Sequence, residues 1–535
     1  MLPRLWGNID GKNIKNGTLE ENRCGKFSNI DTITLDYLKS LGVSYVWLTG
    51  IIRHATAEDG GGCEPSSSDW VKGRAGSPYS ITDYYDVNPY LADNPDNRMD
   101  EFKELVRRVH QAGLKVIIDF VPNHVARDYA DFTATHPAPT GMTSLGEQDD
   151  SSVHWKEEND FFYYPGKALR LPVENQTYVE IPAKASGNAY TAEPGVNDWY
   201  DTIKLNYCDT PSRTWSKMFD IVAFWASAGV DGFRCDMVEL VPPEFFKWLI
   251  SRVKKLYPHI IFVAEVYQKT LYAKYIREVG FDLLYDKSGM YDAVRAIVEK
   301  NVNDSGVPVE AWQSTKRITG NWQFLGDLQP YMLNFLENHD EQRFASDFFG
   351  KDAKNSFAAL YASLLLNQAP FMLYAGEEVG EKGMDTEGFS GIDGRTTIFD
   401  WWAPSALTRL YRYIHGDSTA LTENETELLE RYRKVMRFAA EDKAVSEGVV
   451  YDLCYCNYSS DGFNPDRHFA FLRDYKEETQ LVVCNFSKND ADVRIVIPEH
   501  AFQWLEMPET DKFNHSLPIV VHVPAMDAVI LQVCG

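Results

Sequence analysis

"MDEFKELVRRVHQAGLKVIIDFVPNH", residues 99–124, changes character at Gly113. Its first part opens on the acids Asp100 and Glu101, closes on Arg107, Arg108 and His110, and stops at glycine. That is the charge order of a helix matched to its own dipole and ended by a residue that tolerates a left-handed turn. From Leu114 to Val121 the chain becomes an almost continuous apolar run, which reads as a strand covered on both faces. A helix feeding a buried strand is one unit of a parallel sheet.

The unit recurs along the chain. "DTITLDYLKSLG" (31–42) carries Ile33, Tyr37, Leu38 and Leu41 at helical spacing and leads into "VSYVWLT" (43–49). Further strands are expected at "RLWGN" (4–8), "VDGFRCD" (230–236), "IIFVAEV" (260–266), "FDLLYD" (281–286), "YMLNFLEN" (331–338) and "APFMLYAG" (369–376). Eight strands alternating with helices predict a closed (β/α)8 TIM barrel. The interval from Asp119 to Asp236 is far longer than one unit of about 30 residues. Residues 125–206 within it are rich in Pro, Gly, Thr, Ser and Asn, so an inserted small domain is expected after the third strand. The barrel then occupies 1–124 and 207–442, closing with the helical stretches "ALTRLYRYIH" and "LLERYRKVMRFAAED". Short alternating runs such as "HFAFLRDY", "TQLVVCNF" and "DVRIVIP" predict a C-terminal all-β sandwich over 443–535.

The chain has 535 residues, is 44% hydrophobic and carries a net charge of −25, so it is globular and repels phosphate backbones. A nucleic-acid partner is not expected. The longest apolar runs are too short to span a bilayer, so no membrane partner is expected either. The aromatic content of 13% suits stacking on sugar faces, although core packing accounts for most single rings. The eight cysteines show no disulfide-framework spacing, and Cys454 and Cys456 form only C-x-C. Free thiols fit a reducing, cytoplasmic setting. The alternative is a secreted or periplasmic protein whose signal peptide lies outside this numbering. A monomer is expected. The sequons at Asn175 and Asn485 are short enough to arise by chance.

A parallel barrel carries its chemistry at the C-terminal strand ends. Those ends hold Asp119, Asn123 and His124; Arg234 and Asp236; Glu265; and Glu337, Asn338, His339 and Asp340. Arg234 and Asp236 stand two apart, so on a strand they share one face. Acids gathered at one mouth raise one another's pKa, which marks an active site. Neither H-x-x-x-H nor H-E-x-x-H occurs, so the cluster does not read as a metal site. Glycoside hydrolysis needs two carboxylates, one ionised and one protonated. Arg234 would hold Asp236 charged, and the apolar neighbours Val263, Ala264 and Val266 would raise the pKa of Glu265. Environment thus assigns Asp236 as nucleophile and Glu265 as acid, then base.

"DFVPNH", "GFRCDMVEL", "AEVY" and "FLENHD", in this order, resemble the four signature regions of the α-amylase family, glycoside hydrolase family thirteen. "DTIKLN" (201–206) resembles the fifth, and "PYSITDYYDVNPYL" the loop after the second strand. The resemblance spans essentially the whole chain. It implies a retaining enzyme acting on α-linked glucans or maltooligosaccharides through a covalent glycosyl-enzyme, with no cofactor in the chemistry. Residue by residue it implies Asp236 as nucleophile, Glu265 as acid/base and Asp340 as the grip on the sugar hydroxyls. It places Tyr79, His124, Arg234 and His339 around the same sugar, Tyr267 at the next subsite, and Asp119 as a structural support. "DFFYYPG" (160–166) and Trp401–Trp402 are further stacking candidates that packing explains equally well.

Two departures stand out. The family's exo-acting members pair an Asp after the stacking Tyr with an Arg, whereas here Ser80 follows Tyr79 and Arg395 stands alone as the candidate Arg. A more open cleft and endo action are expected. Typical α-amylases carry Lys and His three and four residues after the nucleophile, and that His lends its backbone to a calcium site; here those residues are Glu239 and Leu240. Asn123 is retained as a candidate calcium ligand, so a structural calcium is compatible with the resemblance. Met237 matches neither the common α-1,4 nor the common α-1,6 pattern. A hydrolase is the first reading. A transglycosylase or isomerising enzyme of the same family is the second, and a non-catalytic carbohydrate-binding relative the third.

Overall fold

Successive residues of the central strands bury in two different places, and this alternation builds the molecule. The computed structural model describes all residues except 209, 304–305, 477, 506–517 and 535. Seven parallel strands form its main sheet in chain order: β1 (Tyr45–Leu48), β2 (Lys115–Phe120), β3 (Gly232–Cys235), β4 (Ile261–Ala264), β5 (Leu283–Tyr285), β6 (Met332–Phe335) and β7 (Phe371–Met372). Val46, Leu48, Val116, Ile118, Phe233, Phe262 and Leu284 pack outward beneath the helices. Their neighbours Ile117, Val263, Tyr285 and Leu333 turn into the barrel interior. A strand buried on both faces needs both sets apolar, which is why these segments read as unbroken runs.

Helices fill the crossovers. α1 (Thr32–Ser40) precedes β1, α2 (Arg98–Gln111) precedes β2, α3 (Arg213–Ser227) precedes β3, and α4 (Pro243–Leu256) precedes β4. α2 buries Phe102, Leu105, Val106 and Val109 along one stripe and keeps Asp100 and Glu101 in its first turn, as the opening stretch predicts.

One expected strand is different. "RLWGN" buries Leu5 and Trp6 but forms turns, with Leu5 and Trp6 amides bonding back to Leu2 and Pro3 carbonyls at 3.0–3.1 Å and Gly7 at φ 77°. A short buried run fits a turn as well as a strand, and local turn bonds decided it. The wall therefore has seven strands among the described residues, where eight were expected. Met1 alone extends the ladder beside β1, its amine donating to Trp47 O at 2.7 Å and its carbonyl accepting from Thr49 N at 3.0 Å. Between β1 and β7 lies a slot of about 450 Å³, largely apolar, lined by Val46, Trp47, Phe371 and Leu373.

Residues after β2 leave the barrel through a short strand, His124–Ala126, which pairs antiparallel with the returning strand Thr202–Lys204. A small buried cluster of Ala55, Trp70, Ala126, Leu169, Leu171, Ala183 and Ala192 holds this excursion together. Beyond the helix Glu423–Glu441, a four-stranded antiparallel sheet (449–452, 468–475, 478–485, 527–534) and a two-stranded one (491–495, 519–523) share one buried core. The strand Ile519–Val523 was not foreseen. Its run "IVVHV" is short, and its partner Ala491–Ile495 lies well upstream.

Gly232 opens β3 between Ile117 and Ile261. A Cβ there would stand 2.7 Å from Ile261 Cγ1 and 3.2 Å from Ile117 Cγ1. Gly232→Ala is expected to cost about 1–3 kcal/mol through overpacking, seen as a lowered Tm in thermal unfolding. An unchanged Tm would refute this account of the strand's start.

Candidate active site

β3 delivers Arg234 and, one step past its end, Asp236, both facing the barrel mouth. The register sets Arg234 beside Asp119 on β2 and Val263 on β4. Ladder bonds run on past the strands, from Asp236 N to Phe120 O at 2.9 Å and from Glu265 N to Cys235 O at 3.2 Å. The backbone of both key acids is thereby held by the sheet.

The Arg234 guanidinium, 1% exposed, is the hub. Nη1 lies 2.7 Å from Asp236 Oδ1 and 3.6 Å from Asp119 Oδ1, and Nη2 lies 2.9 Å from Glu265 Oε2. Its carbon sits 5.3–5.7 Å from the ring centres of Trp47, Tyr79 and Tyr285. Burial works against this cation, but the charges of Glu265 and its neighbours outweigh it and hold it protonated. Asp236 is driven well above the ordinary carboxylate range by burial, with Arg234 opposing and Glu265 adding to the rise. Arg234 thus acts on Asp236 in the expected direction, while burial, the larger effect, and the neighbouring acid Glu265 act against it.

Glu265 also differs from expectation. Its apolar sequence neighbours do not surround its carboxylate. Oε2 accepts from the Met237 amide at 2.9 Å, and Oε1 accepts from Tyr267 OH at 2.6 Å. Met237 holds a left-handed conformation (φ 45°, ψ 47°), which turns its N–H toward Glu265. Tyr267, expected at the next subsite, is tied through its hydroxyl to Glu265. Glu239 ties these loops, accepting from the amides of Tyr267 at 2.9 Å and Gln268 at 3.1 Å.

Asp340 enters from the loop after β6, its side chain 34% exposed and 3.2 Å from His339 Nε2. Loss of solvent on its cleft side, although a third of the side chain still meets water, and the charge of Glu265 push it up to about 7, against Arg234. Asn338 Oδ1 caps this turn by accepting from the Asp340 and Glu341 amides at 2.8 and 3.0 Å. Tyr79 stacks on His339 at 5.5 Å and bonds its Nε2. Asp119 accepts from Trp47 Nε1 at 3.2 Å and is pushed up to about 6 by burial.

These are strand-end acids gathered around one arginine, and a family model described as the alpha-amylase catalytic domain matches residues 3–452. The chain belongs to the alpha-amylase family. Alpha-amylase 3 of Dictyoglomus thermophilum is 25% identical over 501 residues, 89% of this chain and 84% of that protein. Alpha-amylase MalA of Haloarcula japonica is 27% identical over 358 residues, 66% of this chain but 42% of MalA, so the chain spans under half that relative's length. Among solved structures, the Nostoc punctiforme debranching enzyme aligns with a TM-score of 0.66 at 19% identity, covering 99% of this chain and 96% of that one.

Within this alpha-amylase family site, the remaining expected residues fall as follows. His124 lies buried under Trp199, with ring centres 5.4 Å apart, and burial pushes it down to about 3. Arg395 donates to Asp340 O at 2.7 Å and pairs with Asp393 at 3.3 Å, so it braces the Asp340 loop. Ser80 Oγ turns away to Asp201 O at 3.0 Å. Asn123, the candidate calcium ligand, has its Oδ1 bonded by Lys204 Nζ, which also donates to Leu240 O at 2.9 Å. Lys204 is buried, which pushes it down to about 7. Trp401 and Trp402 are 0% and 4% exposed core, not platforms. In "DFFYYPG", Phe161 and Tyr163 are likewise core. Trp47, Tyr285, Glu239 and Lys204 were missed as site residues. Tyr285 carried a visible signal as an aromatic at a strand end, Glu239 as the residue standing where typical α-amylases have Lys, and Lys204 as part of "DTIKLN".

Asp340 has a folded pKa above its unfolded value. The folded state therefore holds its proton more tightly, and this group makes stability fall as pH rises from the ordinary carboxylate range to about 7. Asp340→Asn is expected to raise Tm at about pH 8 and leave it nearly unchanged at about pH 4. Equal shifts at both would refute the assignment.

Proposed function

We propose that the chain is a retaining glycoside hydrolase that cleaves α-glucosidic bonds, mainly α-1,4, in starch-like glucans or maltooligosaccharides. The observation that carries this reading is the single guanidinium that holds Asp236 and Glu265 at neighbouring strand ends. In the first step Asp236 attacks the anomeric carbon and the glycosidic C–O bond breaks, its oxygen taking the proton of Glu265. In the second, Glu265 removes a proton from water, whose oxygen displaces Asp236 from the sugar. The first step needs Asp236 ionised and Glu265 protonated. Arg234 favours the ionised form of Asp236, and the rise that the charge of Glu265 imposes on Asp236 is relieved once Glu265 holds the proton. Asp340, part exposed, offers hydrogen bonds to sugar hydroxyls, and the family resemblance places the neutral His124 and His339 and the ring of Tyr79 around the same sugar.

Two further observations refine the reading. Ser80 faces Asp201, and Arg395 is occupied by Asp393 and the Asp340 carbonyl, so no Asp–Arg bar forms beside Tyr79. This supports an open cleft and endo action. Cys24, Cys63, Cys235, Cys454, Cys456 and Cys484 are free thiols, which supports a reducing compartment. No helix among the described residues is long and apolar enough to cross a membrane.

Asp236→Asn is expected to lower kcat by at least about 10³-fold, about 4 kcal/mol of barrier, with the circular dichroism spectrum unchanged. Turnover within tenfold of the parent would remove Asp236 as nucleophile. Product analysis on maltooligosaccharides, amylopectin, pullulan and sucrose reads the linkage, and longer products than substrate would mark transfer to sugar instead of water. A long maltooligosaccharide blocked at its non-reducing end should be cut internally. Absence of cleavage, with the unblocked chain digested, would refute endo action.

A further inference from the structure

Lys204 stands where three segments meet: the loop after β2, the returning strand of the insertion, and the turn after β3. Its register partner is His124, next to Asn123. Its Nζ contacts Asn123 Oδ1 and Leu240 O, the latter at 2.9 Å. Asn123 Oδ1 is the side-chain oxygen, and Leu240 O the backbone carbonyl, at the two positions that the family resemblance assigns to calcium. Asn123 cannot turn away, because its amide nitrogen donates to Gly187 O at 2.9 Å.

The donor set does not suit a divalent ion. Calcium takes six to eight oxygens, with carboxylates supplying the charge beside amide and backbone carbonyls and water. The oxygens given to Lys204 are one amide and one carbonyl, and among the described residues no group of three His, Cys, Asp or Glu could hold a metal. An ammonium, by contrast, needs only acceptors within reach of its three N–H bonds. A calcium ion at this point would also stand against the lysine's own charge.

We propose that Lys204 is a built-in replacement for calcium, its amino group joining the loops after β2 and β3 so that no metal is taken up at this junction. The rest of the turn then follows. Leu240 O is anchored by Lys204, while Glu239 in the same turn holds the Tyr267 and Gln268 amides. The departure from the usual Lys-His after the nucleophile is thus matched by a lysine arriving from the insertion.

The test compares the full chain with Lys204→Asn and Lys204→Asp, each melted in chelator and in millimolar calcium, with calcium titrated into each by calorimetry. None of these readouts depends on activity, so they stand or fall separately from the proposed reaction. The parent is expected to show the same Tm in both conditions. The variants should melt several degrees lower in chelator, regain much of that loss with calcium, and bind calcium more tightly than the parent by at least about tenfold. A parent whose calcium response equals or exceeds that of the variants would overturn the proposal. So would variants indifferent to calcium, or variants that stay unfolded with it, since a vacated cation position would be rescued by the metal.

Discussion

A guanidinium closed off from water and facing three carboxylates is the interaction on which the mouth of this barrel depends. Taking such charges out of water costs several kcal/mol per ion, and only close pairing offsets it. Arg234 achieves this with contacts of 2.7 Å to Asp236 and 2.9 Å to Glu265, and with three aromatic rings over its faces. One cation cannot neutralise three acids. Burial lifts Asp119 to about 6, and burial first, with the charge of Glu265 added, lifts Asp340 to about 7 and Asp236 well above its usual range. The chemistry proposed for the site uses the surplus of acids, because it needs one acid charged and another holding a proton.

The barrel wall places these groups, but the loops beyond it have no ladder to hold them. Charged side chains do that work here by gripping backbone. Glu239 takes the amides of Tyr267 and Gln268, Arg395 takes Asp340 O, and Lys204 takes Leu240 O. Glu337, beside the site, is spent on Arg343 at 2.7 Å and on the Phe344 amide. Each tie gives a loop peptide group a charged partner in place of water. Charge near the cleft thus has two separate uses, and proximity alone does not separate them.

That division explains what could be read from residues and what could not. The strand period of two placed Arg234 and Asp236 on one face, and Glu265 with Val263, because side-chain direction on a strand is local. The surroundings of Glu265 were misjudged by the same logic. Ala264 packs outward with the helices, while the groups that touch Glu265 come from Tyr267, Arg234 and the Met237 amide. "RLWGN" failed because burial of Leu5 and Trp6 is common to turns and strands. Lys204 was legible as a residue of "DTIKLN" but not as a tie, since its partners stand 81 and 36 positions away.

The balance of donors and acceptors also bears on what the cleft can hold. Arg234, Lys204 and Arg395, the cations around it, already contact protein oxygens. The histidines His124 and His339 are pushed down by burial and stay neutral near pH 7. What faces inward is therefore rich in acceptors, with aromatic surface beside them, on a chain of net charge −25. A phosphorylated sugar would bring two negative charges to a place with no uncommitted cation among the groups described. A neutral glucan brings hydroxyl donors and an apolar ring face instead, which satisfies the carboxylates by hydrogen bonding and adds no charge to a pocket that already carries more than its arginine can neutralise.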